Sequence, residues 1–354
     1  MGKDYRKNGP ERAAIRECAA DHAYLLLISA SCLSLMVGML IGRPWLAPRA
    51  SASGAIAVRE KNDGRYEFID PLLSCTLPDS GAAVPASPLQ SEIASYVAAK
   101  TQTGDITGAS VYFRDLTGSR TVSVNGTDKY NPASLLKVPT MLTYYRIAET
   151  DPDILSKKIY YDGSFDNNKI EHFQDPNVIV PGRSYTVDEL ISSMIVHSDN
   201  NAALLLGQNV DPSLLMEAYT DLGIGLPQNG DSGDFITVAS YVYFFRVLYN
   251  STYLSREYSE KALRLLSQTT FSQGITASVP ADTNVSHKFG ERVELNPTDG
   301  SVQKRELHDC GIVYVPGHPY FLCVMTKGQD FDKLSAVIRQ ISKMASDSIK
   351  LSEI

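Results

Sequence analysis

The sequence is poor in tryptophan, poor in cysteine and short of positive charge, and each shortage narrows what the chain can be. Its 354 residues hold one tryptophan, five cysteines, and 33 basic side chains against 40 acidic ones. A formal net charge of -7 argues against the broad basic face by which proteins hold nucleic acid. Five cysteines do not make a disulfide framework. Cys18 and Cys32 lie before and inside an apolar run, which leaves Cys75, Cys310 and Cys323, an odd set. Cys310 and Cys323 flank a hairpin turned at "PGHP". A bridge between them requires a register that sets them directly opposite, and the expected role is that of small buried hydrophobes. Nineteen tyrosines accompany the lone tryptophan, an imbalance that points to no function by itself. There is no internal repeat.

What is present begins with twenty uncharged residues, 23–42, "AYLLLISASCLSLMVGMLIG". A helix rising about 1.5 Å per residue crosses the roughly 30 Å hydrocarbon core with that length. A cleaved signal peptide has an apolar region of about 7–15 residues, so an uncleaved transmembrane helix is expected. Lys3, Arg6, Lys7, Arg12 and Arg16 precede the span; Arg43, Arg49, Arg59 and Lys61 follow it. The charge bias sets residues 1–22 as a cytoplasmic tail only weakly. Residues 43–87 are rich in Ala, Ser, Pro and Gly, with one apolar island, "YEFIDPLLSCTL", and are expected to link the anchor to a domain at 88–354.

Within that domain the 43% hydrophobic content fits a packed core. The patterning predicts a first helix at "LQSEIASYVAAK" and a hairpin at "ASVYFRDL", "TGSR", "TVSVN". A helix begins near Pro132. "YTVDELISSMIVHSDNNAALLLGQ" is helical with a break at "HSDN"; helices follow at "ITVASYVYFFRVLYN" and "SREYSEKALRLLSQ". Strands come next at "VSHKFGERVEL", "HDCGIVYV" and "YFLCVMTKG", then a closing helix. Strands gathered near the two ends and helices between them predict an α+β fold with one antiparallel sheet.

Three polar clusters interrupt these elements. In "NPASLLKVPT", Ser134 and Lys137 are three residues apart and share a helix face. Pro132 suits a helix start, and the free N–H groups of a first turn favour developing negative charge on Ser134. Apolar Leu135, Leu136 and Val138 would desolvate the Lys137 amine. A second pair at this spacing, Ser301 and Lys304 in "SVQK", has no such surroundings. In "HSDN", Ser198 can relay a proton and Asn200 can bond an amide; the competing reading is a polar turn in which Asp199 caps a helix. In "HKFG", Lys288 can offer positive potential to an anion, or it can be an edge-strand lysine that blunts aggregation.

Taken in order, Ser134-x-x-Lys137, Ser198-Asp199-Asn200 and Lys288-x-Gly290 resemble the three-part signature of the class A β-lactamases and penicillin-binding proteins. The resemblance covers roughly residues 88 to 350. It implies a β-lactamase/D,D-peptidase-like fold, an antiparallel sheet flanked by helices with a helical subdomain. It also implies that Ser134 attacks a carbonyl, its own N–H helping to hold the oxyanion, with Lys137 as base and Ser198 as proton relay. Asn200 would hold the acylamino side chain, Lys288 the substrate carboxylate, and Gly290 completes the third motif. No metal or cofactor is implied.

Two departures stand out. The stretch "TDLGIGLPQNGDSGDFITVASY", where the family carries its deacylating glutamate, has none; Asp231 and Asp234 are the only carboxylates after "DLGIG". Phe289 replaces the family's Thr or Ser, Glu291 adds a like charge beside Gly290, and Cys310 precedes Gly311 where many lactamases have arginine. Three readings follow. The first is a membrane-anchored serine hydrolase acting on a β-lactam or related amide outside the membrane, with slow deacylation. The second is a penicillin-binding, D,D-peptidase-like enzyme acting on cell-wall peptides, and the third a binding module on the same scaffold.

Overall fold

The computed structural model describes residues 56–76, 87–118, 120–225 and 233–350. The apolar run at 23–42, the expected cytoplasmic tail at 1–22 and about half of the expected linker at 43–87 lie outside them, as does Asp231. Among the described residues no helix is long and apolar enough to cross a membrane.

Strands β1 (Ile56–Arg59) and β2 (Leu72–Thr76) form a small antiparallel hairpin. Helix α1 (Pro88–Gln102) follows, capped by Ser87. Strands β3 (Gly108–Asp115) and β4 (Thr121–Val124) are the predicted hairpin. Helix α2 (Lys137–Ala148) is entered through a 3-10 turn at Ala133–Leu136. A second small hairpin, β5 (Lys158–Tyr161) and β6 (Arg183–Thr186), encloses a long loop. The helical region comprises α3 (Val187–Val196), α4 (Asn200–Gln208), α5 (Pro212–Asp221), α6 (Val238–Tyr249) and α7 (Arg256–Leu266). Strands β7 (Val285–Leu295), β8 (Val302–Val313) and β9 (Tyr320–Gly328) precede α8 (Phe331–Lys350).

The main sheet is antiparallel in the order β4-β3-β9-β8-β7. Two apolar clusters cover its faces, which explains why β9 reads as a nearly unbroken hydrophobic run rather than an alternating one. One cluster joins Ile93 of α1 and Ile338 and Ile341 of α8 to Val111, Leu322 and Val324. The other joins Tyr241, Phe245 and the helical region to Phe321, Cys323 and Met325.

Two findings extend or correct the sequence reading. The apolar island of the linker is part of the fold. Phe68 and Ile69 are buried, the backbone N–H groups of residues 67, 68 and 69 donate to the Glu260 carboxylate, and Arg59 pairs with Asp70 at 3.0 Å. Cys310 and Cys323 are not simply small buried hydrophobes. The turn between β8 and β9 sets a register in which they face each other, and they are joined as a disulfide with a Cα–Cα distance of 3.9 Å.

Removing the island should therefore be felt. A chain starting at residue 80 exposes the sites of two large buried side chains, about 3–6 kcal/mol of burial before the entropy of ordering the segment is set against it. Its urea midpoint should fall below that of a chain starting at residue 54; equal midpoints would mean that the hairpin contributes nothing to stability.

Candidate active site

The turn that carries Ser134 is fixed from several sides. Pro132 holds φ at -65° and Ala133 then takes a left-handed φ of 46°, an uncommon conformation for a residue with a Cβ. Asn131 supports it: its side-chain oxygen accepts from the Ala133 N–H at 3.0 Å and its amide donates to Gly233 O at 2.8 Å. Tyr241 of α6, fully buried, donates to Leu135 O at 3.0 Å. Strand β7 passes so close that a Cβ on Gly290 would sit 2.9 Å from Pro132 O and 3.2 Å from the Leu135 nitrogen. Only glycine fits there, which gives the third motif's glycine a steric reason. The Ser134 side chain is 9% exposed, and its hydroxyl has no hydrogen-bond partner among the described residues.

The break at "HSDN" is real. Helix α3 ends at Val196 and α4 starts at Asn200, with Ser198 left-handed between them at a φ of 54°. Asp199 does cap α4, accepting from the Asn201 and Ala202 N–H groups at 2.9 and 3.1 Å. Its carboxylate also takes hydrogen bonds from Ser193 Oγ, Ile179 N–H and the Asn168 amide. The capping reading holds, and a fully satisfied buried carboxylate fixes the bend on which Ser198 and Asn200 sit.

Lys137 reaches this bend. Its Nζ donates to Ser198 O, lies 3.0 Å from Ser198 Oγ, and donates to Asn200 Oδ1 at 2.6 Å. Lys288, on edge strand β7, points inward and is fully buried; its Nζ donates to Ser198 Oγ at 2.9 Å and to Phe289 O at 3.1 Å. One hydroxyl is thus shared by two amines. Burial pulls the Lys137 ammonium down to about 8, against the attraction of Glu171, Asp199 and Glu291. Burial and then the Lys137 charge hold Lys288 well below the ordinary lysine range. A neutral Lys137 keeps two donors for Ser198 O and Asn200 Oδ1 and has a lone pair left to accept a proton.

The sequence reading missed the loop between β5 and β6. Asn200 Nδ2 donates to Glu171 Oε1 at 2.6 Å and to Asn167 O at 3.2 Å, so a carboxylate faces the second motif. Burial pushes the Glu171 carboxyl up, opposed by Lys137 and Asn200. Glu291 accepts from the His172 and Phe173 N–H groups at 3.0 and 2.9 Å, and burial lifts its carboxyl to about 7. Phe289 stacks on Phe271 with ring centroids 4.1 Å apart. Asp234 is occupied elsewhere: it pairs with Lys304 at 3.0 Å and Lys327 at 2.9 Å, and although burial opposes its charge, these lysines hold its carboxyl below the usual range. Lys304 of the second serine–lysine match therefore belongs to a salt-bridge cluster, and Ser301 bonds Asp299. Among the described residues no group of His, Cys, Asp and Glu is arranged to hold a metal ion.

Residues 88–349 match the model of a family described as the beta-lactamase enzyme family. Among curated proteins none matches the chain in sequence. Among solved structures, PBP-A superposes with a TM-score of 0.60 at 17% identity, over 76% of this chain and 100% of that one. A beta-lactamase from Sphaerobacter thermophilus gives 0.60 at 21% identity, over 74% and 97%. A class A beta-lactamase from Mycobacterium abscessus gives 0.60 at 20%, over 73% and 99%. At these identities the likeness is one of fold.

The amine geometry has a pH signature. With neutral Lys137 as the expected proton acceptor, the reaction of Ser134 with a serine-directed phosphonate should quicken as pH rises and level off above about 8. A flat profile between pH 6 and 9 would remove Lys137 from that role. Gly290→Ala should displace the 133–136 turn and slow the same reaction about 10-fold or more, since small displacements at a reacting centre cost on that order or above; an unchanged rate would mean that β7 yields instead.

Proposed function

The chain belongs to the beta-lactamase enzyme family, and on that premise we propose that it is a membrane-anchored serine hydrolase which opens a β-lactam or related amide through an acyl-enzyme on Ser134. The observation that carries this reading is the Ser198 hydroxyl held between the Lys137 and Lys288 amines beside the Ser134 turn. As Ser134 Oγ bonds to the carbonyl carbon, its proton passes to neutral Lys137. The oxyanion is met by the Ser134 N–H, which points from a tightly held turn. Collapse breaks the C–N bond, the nitrogen takes the Ser198 proton, and the Lys137 ammonium restores it. Water then cleaves the ester and returns a proton to Ser134. Asn200 orients the substrate, Lys288 holds the Ser198 relay hydroxyl, and Gly290 leaves room for the turn.

Deacylation is the slow half. Residues 219–241 contain no glutamate, and Asp234 is tied to two lysines. The same feature supports a penicillin-binding, D,D-peptidase-like enzyme as the second reading, with cell-wall peptides as substrate. Residues 23–42 would anchor the chain with its domain outside the cell membrane. The Cys310–Cys323 disulfide favours that side, because such bonds persist mainly in oxidising compartments.

Mass measurement after incubation with a labelled penicillin tests the chemistry. Any adduct that the full chain gains should accumulate, forming faster than it is released, since losing a positioned base costs about 10²–10⁴-fold in the step it serves. Ser134→Ala should abolish the adduct and Lys137→Ala should slow its formation at least as strongly as the base effect implies. Labelling that survives Ser134→Ala would sink the nucleophile. Steady turnover without a burst would sink slow deacylation.

A further inference from the structure

The cleft beside this array has the wrong polarity for an anionic ligand. Lys288, the cation expected to meet a substrate carboxylate, is 0% exposed, and its amine lies 4.3 Å over the Phe289 ring while bonding Ser198 and the Phe289 carbonyl. Lys137 is likewise turned inward onto Ser198 and Asn200. The ionisable groups left partly exposed in their place are acidic. Glu171 stands on the Asn200 amide, and Glu291 lies under the same loop.

Beside the loop opens a cavity of about 350 Å³, within the size range of small-ligand pockets. Phe173, Phe271 and Phe289 line it, together with Asp175, His197 and Asp332, and no lysine or arginine does. Asp175 fixes the polar wall, accepting from Thr270 Oγ1 at 2.6 Å and pairing with His197 Nδ1 at 2.9 Å. Asp332 is exposed. The one lysine on the loop, Lys169, is paired with Asp166 at 3.1 Å. Phe271 and Phe289 stack on one another and the Lys288 amine covers the other face of Phe289, so the ring open to a ligand is the partly exposed Phe173; with the carboxylates it attracts a cation, and the carboxylates repel an anion.

We propose that this cavity and the adjoining Glu171 select a cationic substrate, an amide bearing an ammonium or similar positive group next to an apolar body, in place of the carboxylate. The inference rests on the acyl-transfer reading only for its statement that the bound cation is part of a substrate. The cation enters between Phe173 and the acidic rim. Its charge competes with the Asn200 amide for Glu171, which frees Asn200 Nδ2 for the substrate carbonyl. Recognition and positioning are then one event.

Three ligands of one size and different charge test it: benzylammonium, benzyl alcohol and benzoate, titrated by ligand-observed NMR at pH 8 into the full chain in detergent. Benzylammonium should bind about 10-fold tighter than benzoate. Glu171→Gln with Asp332→Asn should shrink that preference to about 2-fold or less while the unfolding midpoint stays within a degree or two. In addition, benzylammonium should slow formation of the penicillin adduct. Benzoate binding as tightly as benzylammonium, no binding of either, a preference unchanged in the double variant, or cation binding without effect on adduct formation would each overturn the proposal. These outcomes are separable from failure of the enzyme reading. Where no penicillin adduct forms at all, hydrolysis of a benzylammonium-bearing anilide by the full chain, absent in Ser134→Ala, decides the substrate statement, and its absence overturns it.

Discussion

Two buried amines on one hydroxyl set the terms for everything around them. A charged lysine taken out of water costs several kcal/mol unless it is well paired, and two ammonium groups on the same oxygen repel. Lys137 and Lys288 are therefore pushed toward the neutral form, first by burial and, for Lys288, then by its partner. They titrate as a pair, so one proton is shared more readily than two are held. The surrounding carboxylates, Glu171, Asp199 and Glu291, keep that proton from being expelled altogether. The left-handed Ser198, the cap at Asp199 and the close passage of β7 at Gly290 are the covalent and steric means of bringing the two amines to that oxygen.

Much of this was legible in the sequence. β7 and β9 occupy the segments their patterning predicts: β9 is an almost unbroken apolar and aromatic run, and β7 carries Val285, Phe289 and Val293 between turn signals. β8 starts earlier than its apolar part, at Val302, since "VQKREL" places charged Lys304 and Glu306 on a strand where they pair with Glu294 of β7 and Lys327 of β9. Ser134, Lys137, Ser198, Asn200 and Lys288 stand out by their spacing; in the fold Lys137 and Lys288 meet at the Ser198 hydroxyl, Asn200 bonds Lys137, and Ser134 lies on the turn that leads into the Lys137 helix. Lys288 looked equally like an edge-strand lysine. It is on the edge strand, but strand register turns it inward.

What stayed hidden depended on long-range register. No local pattern says that Cys310 and Cys323 stand opposite one another; the turn between them decides it. Glu171 lies before the second motif, on a polar loop with no regular periodicity, and reaches Asn200 only because β5 and β6 pair and throw the loop across the cleft. The island at Phe68 reads as a linker segment able to pack back onto the domain, but where it docks is not legible locally because its acceptor, Glu260, is 192 residues away.

The grip of Glu291 on the loop makes the cleft a titrating wall. Its carboxyl is raised in the folded protein from an ordinary 4.5 to about 7. A raised carboxyl favours the folded arrangement fully below the ordinary value, and that contribution fades as pH climbs through about 7. Across the same narrow interval the wall gains a unit of negative charge at the point where two loop N–H groups are held. Small changes of acidity around neutrality thus alter at once how firmly the loop is seated and how strongly the cleft draws a cation, coupling access and affinity to the acidity outside the molecule.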